Sequence, residues 1–484
     1  MRQERNMLMK KQPLRLLPLA LAAALSACAV GPDYVQPKTA LQTGSYKEEA
    51  GWQPAQPRDA EARGKWWEIY GDSQLNALMD QVQVNNLNVQ QAEAQYRQAR
   101  AAAQVARAGF FPTVSAAASA NRNNSSNKNS SAGSVSSTTT NLGLDASWEP
   151  DIWGKVRRSS EAGKASLQAS AADLAAATLS AQAELAQDYF QLRVLDAQAD
   201  LYAKNVEGYQ RSLTITQNQY KVGIVTRADV AQAQTQLQST QAQAMDLGVQ
   251  RAQLEHAVAI LLGKPPADFA LAKAALPASI PAVPAAGLPS DLLERRPDIA
   301  AAERRVAAAN ANIGVAKAAY YPSLTLSGTI GLQGNSLSQW FNAPTRVWSL
   351  GASLAETLFE GGLRKAQTDS AIAAYDATVA QYKLTVLGGL QEVEDNLVAL
   401  RVLEEEAKVQ DQAVKAAQDA ETLALNQYKA GTASYLTVVT AQNTALSNER
   451  SALQLLGRQY SAHVLLIKAL GGSATAPSKT KDAG

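Results

Sequence analysis

Four stretches of the chain alternate strictly between apolar and small polar residues, the two-residue period of a half-buried strand. In the first, Val114, Ala116, Ala118 and Ala120 alternate with Thr113, Ser115, Ala117 and Ser119. In the second, Leu142, Leu144, Ala146 and Trp148 alternate with Gly143, Asp145, Ser147 and Glu149. In the third, Leu324, Leu326, Ile330 and Leu332 oppose Ser323, Thr325, Ser327 and Thr329. In the fourth, Trp348, Leu350, Ala352 and Leu354 oppose Val347, Ser349, Gly351 and Ser353. The pattern predicts strands of about 9–10 residues, near the ~9–11 that cross a bilayer. The linking segments, Arg122 to Thr140 and Gln333 to Thr345, lack that alternation and read as loops, the first being rich in Asn, Ser and Thr.

Long helices fill most of the remaining chain. No proline occurs between Pro150 and Pro265, nor between Pro344 and Pro477. A proline costs a helix interior roughly 3 kcal/mol, so these gaps permit uninterrupted helices. Leu167, Leu174, Leu179, Leu185 and Phe190 recur at helical spacings. A helix from about Gly154 to Val222 would be roughly 100 Å long at ~1.5 Å per residue. No uncharged apolar run is long enough for a transmembrane helix, so any membrane crossing falls to the strands.

The chain is written twice. Phe110-Phe111-Pro112-Thr113 recurs as Tyr320-Tyr321-Pro322-Ser323, 210 residues later. Gln219-Tyr220-Lys221-Val222-Gly223 recurs as Gln427-Tyr428-Lys429-Ala430-Gly431, and Leu262-Gly263 as Leu470-Gly471, both after 208 residues. Each half therefore reads as helix, aromatic-aromatic-Pro, β-hairpin, then a long helical hairpin. Gly223 and Gly431 sit where a helix end needs positive φ, and Thr226 and Ser434 where the return helices begin. Pro297 suits a first helical turn, with Asp298 complementing the helix dipole there; Arg295 and Arg296 are solvated flanks or packing contacts.

A strand with a lipid-facing side tolerates no open edge, and barrels begin at ~8 strands, a size at which side chains fill the interior. Four strands per chain cannot close. Two chains give eight strands and a plugged bore. Three give twelve, so a conducting pore points to a trimer.

The start of the chain reads as a processing segment. Basic residues from Arg2 to Arg15 precede the apolar run Leu16 to Ala27, which ends in Leu25-Ser26-Ala27-Cys28. That pattern predicts a lipoprotein signal over 1–27 and a lipidated Cys28, the one cysteine in 484 residues, so an intrachain disulfide is impossible. Ala29, not Asp, follows the cysteine. The whole chain carries net charge +2. Residues 1–27 hold five basic and one acidic side chain, so their removal from 45 basic and 43 acidic leaves 40 against 42. Net charge gives nucleic-acid binding no support. Candidate catalytic or metal chemistry is sparse. His256 and His463 have no catalytic or ligand motif around them, and Gly361-Gly362 lacks the Lys-Ser/Thr of a phosphate loop. The residues alone leave open a coiled-coil structural lipoprotein.

The run Leu292-Leu293-Glu294-Arg295-Arg296-Pro297-Asp298-Ile299, continuing through Ala302-Glu303-Arg304-Arg305 and Ala309 to Gly314 into Tyr320-Tyr321-Pro322-Ser323-Leu324-Thr325-Leu326, resembles the signature of the TolC-like outer-membrane efflux lipoproteins of the NodT type. So do Trp148 to Arg157, Cys28 to Tyr34, and Trp66-Trp67 with Gly71-Asp72. The resemblance covers essentially the whole mature chain in order. It implies a mixed α and β fold, trimeric, with a 12-stranded transmembrane β-barrel (four strands per chain), a long periplasmic α-helical barrel and an equatorial belt. The belt would use Gln36 to Arg63, the Pro265 to Pro289 connector and the tail. The corresponding division is 1–27 signal, 28–112 N-terminal segment and first helix, 113–149 first β-hairpin and 150–264 first helical hairpin. It continues with 265–297 connector, 298–322 second-repeat helix, 323–355 second β-hairpin, 356–471 second helical hairpin and 472–484 tail.

The resemblance further implies an efflux duct and not an enzyme, without catalytic residues, metal or cofactor beyond the covalent lipid on Cys28. Its expected partners are two further copies, a periplasmic adaptor (membrane fusion protein), an inner-membrane transporter of the proton-driven resistance-nodulation-division class and outer-membrane lipid, with no nucleic acid. Val222, Gly223, Ile224 and Thr226 match the family's first adaptor-docking tip motif, and Gly431 and Thr432 the second. Asp229 and Tyr428 match a pair that ties neighbouring helices when the periplasmic gate is closed. Ala228 and Ala433 replace the other latch pair, and Thr437 and Thr440 replace a carboxylate ring present in some members. The same fold also serves channels that export proteins; the lipobox and the Leu-Glu-Arg-Arg-Pro run favour small-molecule cargo.

Overall fold

The computed structural model describes residues 30–37, 64–126, 134–277, 280–281, 295–336 and 346–472. The predicted signal, Cys28, most of the 36–63 stretch, residues 278–279 and 282–294 of the connector, the middle of both β-hairpin loops and the tail beyond 472 lie outside them. The chain divides into two compact units, one of Met1–Lys38, Tyr96–Ser170 and Ala302–Tyr382, the other of Thr39–Gln95, Ala171–Ala301 and Lys383–Gly484.

In chain order the elements are a short 3₁₀ helix (Trp66–Tyr70), α1 (Ser73–Asn85), α2 (Leu87–Ala108), β1 (Thr113–Ser126), β2 (Ser134–Trp148), α3 (Lys155–Lys221) and α4 (Arg227–Leu261). A three-residue turn of 3₁₀ helix follows at Pro266–Asp268, then α5 (Pro297–Ala318), β3 (Ser323–Gly334), β4 (Arg346–Ala355), α6 (Leu363–Lys429) and α7 (Tyr435–Ala469). The duplication is carried into geometry. α3 and α6 both have 67 residues, α4 and α7 both have 35, and each begins 208 residues after its counterpart. α3 ends within one residue of the sequence estimate at each end. Among the described residues no helix is long and apolar enough to cross a membrane.

The first unit holds one antiparallel sheet in the order β1-β2-β3-β4. Its first hairpin is longer than the alternation suggested. β1 runs 14 residues and β2 15, so the expected loop of Arg122 to Thr140 is strand up to Ser126 and again from Ser134. Gln333 and Gly334, also expected in a loop, pair with Asn141 and Thr140. At the root of the sheet Trp153 stacks on Tyr321, with ring centroids 4.7 Å apart, and its Nε1 donates to the Pro322 carbonyl at 2.8 Å. Asp151 accepts from the backbone N–H groups of Val156 and Arg157, satisfying donors that the first turn of α3 leaves open.

A strap formed by residues 30–36 is tied to this unit. Val30 N–H donates to the Trp153 carbonyl, and the buried Arg158 guanidinium reaches the carbonyls of Val30 and Gly31 and the Asp33 carboxylate. Asn310 donates to the Pro32 carbonyl, and the Tyr34 hydroxyl donates to Glu303.

The second unit is built round an aromatic core. Phe190 stacks on Tyr460 at 4.4 Å, and Trp66, Trp67 and Tyr70 pack with Leu75, Met79, Leu185 and Val464. Asp72 caps α1 through the backbone N–H groups of Gln74 and Leu75, and also accepts from the Tyr189 hydroxyl. Of the two readings for Arg296, the packing contact is the one found. Arg296 is buried and its guanidinium donates to Asp298, to Glu392 and to the Ala469 carbonyl, joining the start of α5 to α6 and to the end of α7. α5 begins at Pro297.

Candidate functional site

Two features carry functional geometry, the sheet in the first unit and the helical-hairpin tips in the second. The sheet register aligns the alternation of all four strands. Val114 pairs with Ala146, Ala146 with Gly328 and Gly328 with Leu350. The next row runs Ala116, Leu144, Ile330, Trp348. Every even-numbered strand residue thus lies on one face, which is apolar over the rows from Val114 to Ala118 apart from Arg346, and polar farther out at Arg122, Asn124, Ser136, Thr138 and Thr140. It is open to the surroundings in the single chain, with Leu350 80% exposed, Trp348 74% and Ile330 64%. The odd face is small and polar. Thr113, Ser147, Ser327 and Gly351 form one row, and Ser115, Asp145, Thr329 and Ser349 the next. A sheet with one continuous apolar side and one hydroxyl-lined side separates lipid from water. β1 and β4 are the edges, each paired on one side only.

Both hairpin tips are built by the same backbone device. Gly223 has φ 78° and Gly431 φ 74°. Gly223 N–H bonds the Tyr220 carbonyl and Ile224 N–H bonds the Gln219 carbonyl; Gly431 and Thr432 repeat this with Tyr428 and Gln427. These paired bonds satisfy the last carbonyls of α3 and α6, and the left-handed position makes glycine the natural residue. Val222 and Ile224 are 70% and 67% exposed, while Thr226 caps α4. Thr432 donates to the Gln427 carbonyl. The tip residues therefore offer two apolar side chains on a rigid turn. Beneath them Tyr209, Leu213, Ala233, Leu237, Tyr428, Tyr435 and Val438 form a small core, with Val225 against it.

Asp229 and Tyr428 are not joined within the chain. Asp229 accepts from the backbone N–H and the hydroxyl of Thr226, and Tyr428 donates to Thr216 Oγ1 at 3.1 Å. Burial, with Asp229 nearby, pushes the Tyr428 phenol up, and burial pushes Tyr435 up to about 12, so Tyr428 is a donor at neutral pH. Thr437 and Thr440 are exposed on α7, and the Thr440 hydroxyl is spent on the Leu436 carbonyl. Sequence reasoning missed Thr216 as the partner of Tyr428; a threonine 212 residues distant, inside an unbroken helix, carries no signal of its own.

The family model described as "Outer membrane efflux protein" matches residues 78–264 and 288–472. The probable efflux pump outer membrane protein TtgC of Pseudomonas putida is 31% identical over 463 residues, covering 94% of this chain and 95% of the relative. The pyoverdine export outer membrane protein OpmQ of Pseudomonas aeruginosa is 30% identical over 420 residues, covering 86% of this chain and 88% of the relative. Among solved structures the outer-membrane channel OprN superimposes with TM-score 0.84 at 32% identity, covering 92% of this chain and 99% of that one. Two matched halves, a sheet with lipid-type and water-type faces and near-complete overlap with an outer-membrane channel place the chain in the outer membrane efflux protein family, as an outer-membrane exit duct of TolC-like fold.

Proposed function

We propose that three copies of this chain close a twelve-stranded barrel, held also by lipid on Cys28, and conduct small molecules delivered by a periplasmic adaptor and an inner-membrane transporter. One observation carries the reading. The exposed apolar face belongs to a four-stranded sheet with two open edges. In lipid each unpaired edge group costs several kcal/mol, so β1 of one chain must pair with β4 of the next. Three such joints give the smallest ring with an open bore.

The tips supply the second half of the proposal. Val222, Gly223, Ile224 and Thr226 of one turn, with Gly431 and Thr432 of the other, form the surface the adaptor grips. Fixed backbone and exposed apolar side chains lower the ordering cost of such a contact. Asp229, Tyr428, Thr437 and Thr440 lie on the helices next to these turns, where closure of the gate would act. The duct does no chemistry; the transporter supplies the energy. OpmQ bears the name of a pyoverdine exporter, which supports small-molecule cargo in this family.

The test is the native mass of the detergent-extracted outer-membrane protein, corrected for bound detergent and lipid. Three chain masses are expected, followed by adaptor crosslinks from probes at 223 and 431. A monomer, or recovery from the periplasm without detergent, would sink the proposal.

A further inference from the structure

The two faces of the sheet differ in charge as well as in polarity. The described strand residues include three charged side chains, Arg122, Asp145 and Arg346. Arg122 pairs with Thr138, and Arg346 with Leu332, so both belong to the even, apolar side. The Arg122 Nε donates to Ser136 on that same side. Asp145 alone belongs to the odd side. It stands in the row Ser115, Asp145, Thr329, Ser349, where Thr329 and Ser349 share a hydroxyl bond of 2.7 Å. No basic side chain pairs with it among the described residues. The next acid in the same register, Glu149, lies just past the end of β2.

We infer that Asp145 sets the charge preference of the bore, favouring cations and cationic cargo over anions. The inference rests on the trimeric barrel proposed above, which turns one carboxylate per chain into a ring of three. Twelve strands about 4.8 Å apart and tilted about 40° close on a backbone radius of about 12 Å. The carboxylates then stand about 9 Å from the axis. Salt screening decides whether they act there. The Debye length is about 10 Å at 0.1 M and about 3 Å at 1 M. At 0.1 M three charges at that distance raise the ratio of cations to anions on the axis by about five- to tenfold. At 1 M the ratio falls to near one. Thr437 and Thr440 are uncharged, so those two positions add no fixed charge to the bore.

The test is the reversal potential of the full-length protein in planar lipid bilayers under a KCl gradient, at about 0.1 M and about 1 M mean salt. The wild type is expected to prefer potassium at the lower salt. Asp145→Asn should lower the potassium-to-chloride ratio by at least about twofold, Asp145→Lys should lower it further, and Asp145→Glu should retain it. The differences should vanish at the higher salt. Conducting channels with the same reversal potential in wild type, Asp145→Asn and Asp145→Lys would overturn the inference and leave the duct intact. A wild type that is a monomer by native mass would overturn the trimeric barrel and this inference with it.

Discussion

Thr226 and Asp229 cap each other at the first turn of α4. The Asp229 carboxylate accepts from the Thr226 N–H at 2.8 Å and from its hydroxyl at 2.7 Å, while Asp229 N–H donates back to Thr226 Oγ1 at 3.3 Å. The second hairpin lacks this closure, since Ser434 caps α7 without a side-chain bond to the backbone. The two tips are alike in fold and unlike in how firmly they are closed. Thr226→Ala should cost ~1 kcal/mol of local stability, and Ser434→Ala a few tenths. Amide exchange read by mass spectrometry should quicken about fivefold over 226–230 in the first variant and barely change over 434–438 in the second. Equal effects at both tips would refute the asymmetry.

Because Asp229 is committed to its own helix, Tyr428 is held by Thr216. Tyr428→Phe should cost about 0.5–1.5 kcal/mol. In a double-mutant cycle it should couple to Thr216→Val by about 1 kcal/mol and show no coupling to Asp229→Asn. Coupling to Asp229 alone would instead favour a latch between those two side chains. Denaturation midpoints of the detergent-solubilised protein measure both cycles.

The ease of reading differs between helix and strand for a physical reason. Helix ends were legible because side chains make them. Gly223 and Thr226 punctuate the turn chemically, and proline is absent for the whole length between. Strand ends were not. The outer part of the first hairpin pairs Asn124 with Ser136 and Asn123 with Ser137 through the backbone ladder, with Val135 the one apolar residue along it and no alternation to mark it. The same limit hid Thr216 and the burial of Arg296, whose partners Glu392 and the Ala469 carbonyl come from helices 96 and 173 residues away. The tip glycines stood out because the second half repeats them.

Gly31 and Gly314 touch where the strap meets α5. A Cβ on Gly31 would come 2.5 Å from Gly314 Cα, and φ there is +108°. A Cβ on Gly314 would come 2.7 Å from Arg158 Cγ. Gly31→Ala meets backbone and an unfavourable φ together, so it should release the strap. Gly314→Ala meets a flexible side chain and should cost less, about 1–3 kcal/mol. Limited proteolysis should cut near residues 30–37 fastest in Gly31→Ala, then in Gly314→Ala, then in wild type. Equal rates in all three would show that the glycine contact does not hold the strap.

Asp188 on α3 gives the fold a pH dependence of definite sign. Burial, with the Glu184 carboxylate one turn away, pushes its carboxyl up to about 6. In the unfolded chain it titrates near ~3.9. Between about pH 4 and 6 the folded state holds the proton more tightly. This group's contribution to stability therefore declines as pH rises through that window and stays low above it. Asp188→Asn removes the charge and keeps the shape. The variant should melt higher than wild type at pH 7, and the gap should shrink toward pH 4.5. Other carboxylates titrate over the same range, so the difference between variant and wild type is the quantity to follow. Glu184→Gln should narrow the gap partway, because it removes the neighbouring charge and leaves the burial. A gap that is constant from pH 4.5 to 7 would mean that Asp188 ionises in the folded protein as it does in the open chain.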